Sequence, residues 1–275
     1  MAAFEIVDAV NSPGSAGKTG DDRYGYDDGA GTAWVLDGAT DATPLQPFPG
    51  AESGAAWFAD TLSSHLIGHA PKEGEAAEAY FKRILELVRA CAEAESDTPL
   101  DALPPAAWPI ASGIWLRRLG EAAELCWLGD CMALDLISGG EYGPVGASEQ
   151  ESEENREVLK RSEEEIWNAV REARQAAFEA ERPIFSLRPH VITGLNRVTL
   201  PASPRTQLLL MSDGFYRLIH PYGLYDGPGL ANAVRTRGLG ELVSELRQHE
   251  TGLSRQAIGR VKRADDACAL WLSFD

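Results

Sequence analysis

The sequence predicts an α+β domain in which helices pack on sheets of antiparallel strands. Three observations lead there. Short apolar runs bounded by Gly, Asp and Pro come in consecutive groups, without regular strand-helix-strand alternation. Stretches with helical apolar spacing sit between those groups as separate blocks. With 275 residues, 44% hydrophobic and 24% charged, the chain suffices for one large domain or two small ones and is too apolar for a disordered chain.

Residues 4–10 (FEIVDAV) and 32–37 (TAWVLD) read as strands with a polar loop between them. Residues 51–69 set Trp57, Phe58, Leu62 and Leu66 at helical intervals, and residues 74–95 repeat the pattern with Tyr80, Ile84, Leu87 and Val88. Two helices are expected. Residues 98–109 hold several prolines and form a connector. The runs 111–118, 122–128 and 132–137, joined by tight glycine-containing turns, predict a three-stranded antiparallel meander. A long helix is expected over 149–181, with Ile166, Val170, Ala173 and Ala177 on one stripe. Strands at 191–200 and 207–212, helices at 229–237 and 241–249, and a strand at 267–274 follow.

Lys+Arg total 25 against 42 Asp+Glu, a formal net charge of -17. Such a molecule repels nucleic-acid phosphates and anionic membranes, so neither is an expected partner. No basic stretch with a following apolar run opens the sequence, and no apolar segment approaches bilayer length; the expected location is the cytoplasm. Cys91, Cys126, Cys131 and Cys268 show no metal-like spacing and are expected as reduced thiols. The acids are unevenly placed: residues 1–60 hold ten against two bases, and residues 149–182 hold eleven Glu against six bases.

Three groups of residues invite a chemical reading. Residues 12–19 (SPGSAGKT) resemble a loosened phosphate-binding loop, but the Gly- and Asp-rich stretch that follows is a poor helix, so a connector is expected. His65 and His69 share a helix face, yet a zinc-protease helix needs Glu where Leu66 stands; they are read as ordinary helix residues. The acids at strand ends are different. Asp37-Gly38, Asp213-Gly214 and Asp265-Asp266 flank apolar strands, while Asp21-Asp22 and Gly129-Asp130 lie in loops between strands. Any Asp-Gly alone is usually a turn. Five such points brought together would repel one another unless divalent cations neutralised them.

In their order, GDDR at 20–23, VLDG at 35–38, LGDC at 128–131, LMSDGF at 210–215 and DDACALWL at 265–272 resemble the successive motifs of the metal-dependent type 2C protein phosphatases. The resemblance spans about residues 5–273. It implies a single domain over 1–275 built as a four-layer sandwich, two antiparallel β-sheets flanked by helices, with a metal centre at one edge and a helical flap-like insertion at about 143–200. Carried over, Asp37 would bridge two Mn²⁺ or Mg²⁺ ions, Asp213 and Asp265 would complete one site, and Asp21 with the Gly38 carbonyl the other. Asp22 would orient metal-bound water, and Asp130 with Asp213 matches a third metal position of some relatives. Two such cations generate hydroxide at neutral pH and stabilise charge on a phosphoryl group during in-line attack.

The departures bear on activity. Where the family usually has His after the Asp-Gly, Ala39 stands, followed by Thr40 and Asp41; a His there would protonate the leaving oxygen, and Ala cannot. The family's phosphate-binding Arg falls on Gly17, and Lys18 is the expected substitute, a point charge without the bidentate fork. The acid expected four residues after Asp213 is Arg217, the family's Glu is Asp21, and its Thr is Cys268. The implied function is hydrolysis of phosphoserine and phosphothreonine monoesters on proteins by a metal-activated hydroxide, with Asp37, Asp22 and Lys18 as catalytic residues. The alternative is a catalytically weak or inactive regulatory or binding module of the same fold. The Glu-rich segment 149–182 is read as a solvated face over an apolar stripe, with a gating role beside the active site as its alternative.

Overall fold

The computed structural model describes residues 4–144, 162–253 and 264–274. In chain order its strands are β1 (Glu5–Ser12), β2 (Arg23–Asp27), β3 (Thr32–Gly38), β4 (Ile110–Leu119), β5 (Ala122–Leu128), β6 (Met132–Asp135), β7 (Glu141–Tyr142), β8 (Phe185–Ser186), β9 (Asn196–Pro201), β10 (Gln207–Met211) and β11 (Ala267–Ser273). Its α-helices are α1 (Gly54–Gly68), α2 (Ala77–Glu95), α3 (Glu163–Glu179), α4 (Asp213–Tyr216), α5 (Gly227–Arg237) and α6 (Leu239–Thr251). The strands form two antiparallel sheets, β1-β11-β10-β6-β7 and β2-β3-β4-β5-β9, with β8 paired to the start of β4.

Side-chain alternation makes the layers. On β3, Ala33 and Val35 point between the sheets, while Trp34 and Leu36 point outward to α1 and α2. On β10, Leu208 and Leu210 meet the same inner layer, whereas Leu209 and Met211 face the cluster formed with α5 and α6. Strands buried on both faces read as continuous apolar runs, which is why TAWVL and LLLM stand out in the sequence. The result is helix, sheet, sheet, helix, as the fold expectation requires. Among the described residues, no helix is long and apolar enough to cross a membrane.

Three details differ from the sequence expectation. Residues 23–27, expected as loop, form β2: Tyr24 and Tyr26 are exposed, and between them Gly25 lies so close to the Trp34 ring that a Cβ would sit 2.6 Å from it. Alternation of two exposed tyrosines around a glycine carries no hydrophobic signal. The meander is also not formed. β4 and β5 pair, but β6 crosses to the other sheet and pairs with β10. The crossing is made at Gly129, whose positive φ and contact with Ser112 (a Cβ would lie 2.1 Å from its Oγ) admit no side chain.

Helix α3 begins where Ser162 and Glu165 form a reciprocal capping box; the earlier part of the expected helix, 149–161, lies outside the described residues. The expected strand 191–200 starts only at Asn196, after a 3₁₀ turn at Pro189–Val191.

Candidate metal centre

Backbone packing brings four chain segments to one end of the sandwich. The loop carrying Gly20, Asp21 and Asp22 abuts the end of β3: a Cβ on Gly38 would lie 2.6 Å from the Asp21 carbonyl oxygen. The start of α4 presses on the segment before β11 so closely that a Cβ on Gly214 would stand 1.8 Å from the Asp266 carbonyl oxygen. Asp266 then ties that segment back to the first loop. Its Oδ1 accepts the Gly14 amide at 2.7 Å and its Oδ2 accepts the Asp21 amide. The Arg23 guanidinium donates to the carbonyls of Gly20 and Asp22 at 2.9 and 2.6 Å, and Asn11 Nδ2 donates to the Asp22 carbonyl at 2.8 Å. Helix α1 contributes its N-terminus: Ser53 Oγ donates to Asp21 Oδ1 and accepts the Ala56 amide, while the Asp41 carboxylate accepts the Gly54 and Ala55 amides.

Inside this frame the carboxylates feel one another. Asp22 is 1% exposed, and its pKa is raised well above the ordinary carboxylate value. Burial is the main cause; a hydrogen bond from Ser212 opposes it, and the charges of Asp266, Asp265 and Asp213 add to it. Asp37 is pushed the same way by burial, then by Asp22, Asp213, Asp130 and Asp265. The Cys131 and Cys268 thiols below them are raised by burial and by the same acids. One oxygen of Asp22, Oδ2, is buried with no hydrogen-bond partner among the described residues. Such an arrangement costs free energy unless a cation enters, because like charges in a dry site cannot all ionise.

The donor set is carboxylate and carbonyl oxygen throughout, hard ligands of the kind that suit Mg²⁺ or Mn²⁺. Among the described residues no group of three or more His, Cys, Asp or Glu side chains is already arranged to hold an ion. Asp265 is instead engaged by a cation of the protein, since Arg217 Nη2 lies 2.7 Å from its Oδ2. The orphaned Asp22 oxygen and the raised proton affinity of Asp37 nonetheless fit a divalent ion at this end of the sandwich.

A sequence model of the protein phosphatase 2C family matches residues 12–247. The chain belongs to the protein phosphatase 2C family. The protein phosphatase 2C fold is also found in solved structures at low identity. The serine/threonine phosphatase PstP/Ppp of Mycobacterium tuberculosis has 13% identity and a TM-score of 0.57, with 99% of each chain covered. PppA, described as a key regulatory component of T6SS in Pseudomonas aeruginosa, has 15% identity and a TM-score of 0.55 over 99% of this chain and 98% of that one. The catalytic domain of PstP in complex with two manganese ions has 14% identity and a TM-score of 0.54 over 100% of both chains. No curated protein matches the chain.

Of the residues singled out in the sequence, Asp21, Asp22, Asp37, Gly38, Asp213 and Asp265 gather at this end of the sandwich, and exposed Asp130 acts on Asp37 from the sheet crossing. Lys18 does not join them. It is exposed in the loop closed by its amide to the Ser15 carbonyl at 3.4 Å, and the acid it acts on is Glu52, which also accepts the Thr19 amide. No helix follows Thr19, so the loop lacks the helix N-terminus of a nucleotide-binding loop. His65 and His69 stay local: His65 lies 3.4 Å from Cys91, and His69 meets the His65 carbonyl. The sequence reading missed Asp266, Arg23, Ser53 and Asp41 as the residues that hold the frame. Only the adjacency of Asp266 to Asp265 hinted at one of them.

Proposed function

We propose that this protein hydrolyses phosphoserine and phosphothreonine monoesters on cytoplasmic proteins at a Mn²⁺- or Mg²⁺-dependent centre. The observation that carries this reading is the convergence of Asp22, Asp37, Asp213 and Asp265, with Asp22 buried and one of its oxygens orphaned. Asp37, Asp21 and the Gly38 carbonyl would hold a divalent ion, with Asp213 and Asp265 on the opposite side of the cluster. A bound divalent cation supplies Lewis acidity, lowering the pKa of a coordinated water and neutralising phosphoryl charge. Asp22 Oδ2, buried without a hydrogen-bond partner among the described residues, would accept a hydrogen bond from the attacking water and fix its direction. Asp266 and Arg23 take no part in bond making; they hold the Asp21-Asp22 backbone in position. Lys18 is assigned to long-range attraction of the phosphate from its exposed loop.

A second reading, a binding module that turns over little, is favoured by Ala39. Its amide is used by the Ile110 carbonyl at 3.0 Å and its side chain is a methyl, so the residue after Gly38 supplies no acid to the departing serine oxygen. Hydrolysis of a phosphothreonine peptide with and without Mn²⁺ separates the two. Metal-dependent turnover that disappears in Asp37→Ala supports the enzyme; absence of turnover in protein shown to bind Mn²⁺ leaves the module.

A further inference from the structure

Arg217 is 0% exposed, and nothing in the proposed chemistry uses it. It follows α4 by one residue, and its guanidinium lies 2.7 Å from Asp265 Oδ2 on one side and 3.6 Å from Glu250 Oε1 on the other. Glu250 is 2% exposed and is already held by Arg247 Nη1 at 2.7 Å and the Tyr222 hydroxyl at 3.2 Å. The guanidinium is therefore braced from behind by α6 and aimed at the centre. Guanidinium remains charged under all ordinary conditions. Burying it is costly unless its partners stay ionised, so the pair with Asp265 is a fixed part of the fold.

Its influence is one-sided. The acids acting most strongly on Arg217 are Asp265 and Asp213, whereas the strongest charges at Asp37 are all carboxylates. A divalent ion approaching Asp213 and Asp265 meets a fully buried positive charge within a few ångströms and finds Oδ2 of Asp265 ion-paired to it. On the other side Asp21 Oδ1 accepts the neutral Ser53 hydroxyl, Arg23 is paired with Asp60 and turned to the Gly20 and Asp22 carbonyls, and the charges acting most strongly on Asp37 are carboxylates.

We propose that Arg217 is a resident cation that takes the place of a metal ion on the Asp213-Asp265 side, so that the protein binds one divalent ion tightly, on the Asp21-Asp37-Gly38 side. This rests on the metal-centre reading above and specifies its stoichiometry. Titration calorimetry with MnCl₂, checked by counting Mn after gel filtration, tests it. One ion per wild-type chain is expected, two in Arg217→Gln, and one in Arg217→Lys, which keeps the charge. In the wild-type background, Asp265→Asn is expected to retain one ion with affinity changed less than threefold, whereas Asp37→Asn loses it. Two ions of similar affinity in the wild type overturn the proposal. So does a stoichiometry unaltered in folded Arg217→Gln, or loss of the tight ion in Asp265→Asn. Should Arg217→Gln fail to fold, the wild-type count and Asp265→Asn still decide. Absence of Mn²⁺ from every variant is a different result: it removes the metal centre itself.

Discussion

The Ser53 hydroxyl serves helix α1 and Asp21 at once, accepting the Ala56 amide at 2.8 Å while donating to Asp21 Oδ1. A helix cap and a candidate metal ligand thus share one oxygen, and loss of that oxygen is felt in both stability and ion binding. Ser53→Ala is expected to cost about 1 kcal/mol, as lost N-caps do. Calorimetry should show a fall in Tm of roughly 2–4 °C, and Mn²⁺ affinity should fall with it.

The Gly214 contact makes a sharper prediction. Any Cβ there overlaps the Asp266 carbonyl, so Gly214→Ala must push apart the two segments that deliver Asp213 and Asp265. The expected loss is on the order of 3 kcal/mol or more, read from urea unfolding. Gly240→Ala is the control. It sits within α6 with open space around it, and is expected to stabilise by about 0.5–1 kcal/mol.

Asp22 and Asp37 set the pH dependence of the metal-free protein. Both hold protons in the folded state at pH values where the unfolded chain has released them. Their contribution to stability is full below the ordinary carboxylate pKa and is lost as pH rises through their folded values. Tm of protein dialysed against chelator should therefore fall on going from pH 5 to pH 8, and Asp22→Asn should flatten the fall. Added Mn²⁺ favours the ionised carboxylates, so its stabilising effect should be larger at pH 8 than at pH 5.

Helix α3 reaches the same end of the molecule through two arginines. Arg171 donates to the Ala42 carbonyl at 3.3 Å and Arg174 to the Thr40 carbonyl at 3.0 Å, joining the helix to the chain just after Gly38. If this helix belongs to a flap that helps select substrates, Arg174→Met should raise KM for a phosphoprotein severalfold while p-nitrophenyl phosphate hydrolysis changes little. Equal effects on both substrates would assign the helix a purely structural part.

How much of this was readable in the sequence depends on the kind of signal. Strands buried on both faces, such as β3 and β10, announce themselves as apolar runs, and α1 and α2 by their spacing; both kinds were legible. β2 was not, because Tyr24 and Tyr26 are exposed and the buried residue between them is a glycine. The transfer of β6 to the opposite sheet was hidden as well: Gly129-Asp130 looks like a hairpin turn until Ser112 is found beneath it. At the site, the acids at strand ends were identifiable from their positions. Asp266 reaches the Gly14 and Asp21 amides across 252 and 245 residues and Ser53 reaches the Asp21 carboxylate across 32, and no local pattern records that; Arg23, by contrast, grips the Gly20 and Asp22 carbonyls beside it.

Strand β11 lies between β1 and β10, pairing Glu5 with Ser273 on one side and Gln207 with Ser273 on the other. Asp265 and Asp266 ride on its leading end, and the Asp266 contact to Gly14 spans 252 residues. A ribosome-bound chain still lacking β11 therefore has Asp22 and Asp37 in hand but no way to complete the cluster. The cluster can therefore be completed only once β11 has docked between β1 and β10.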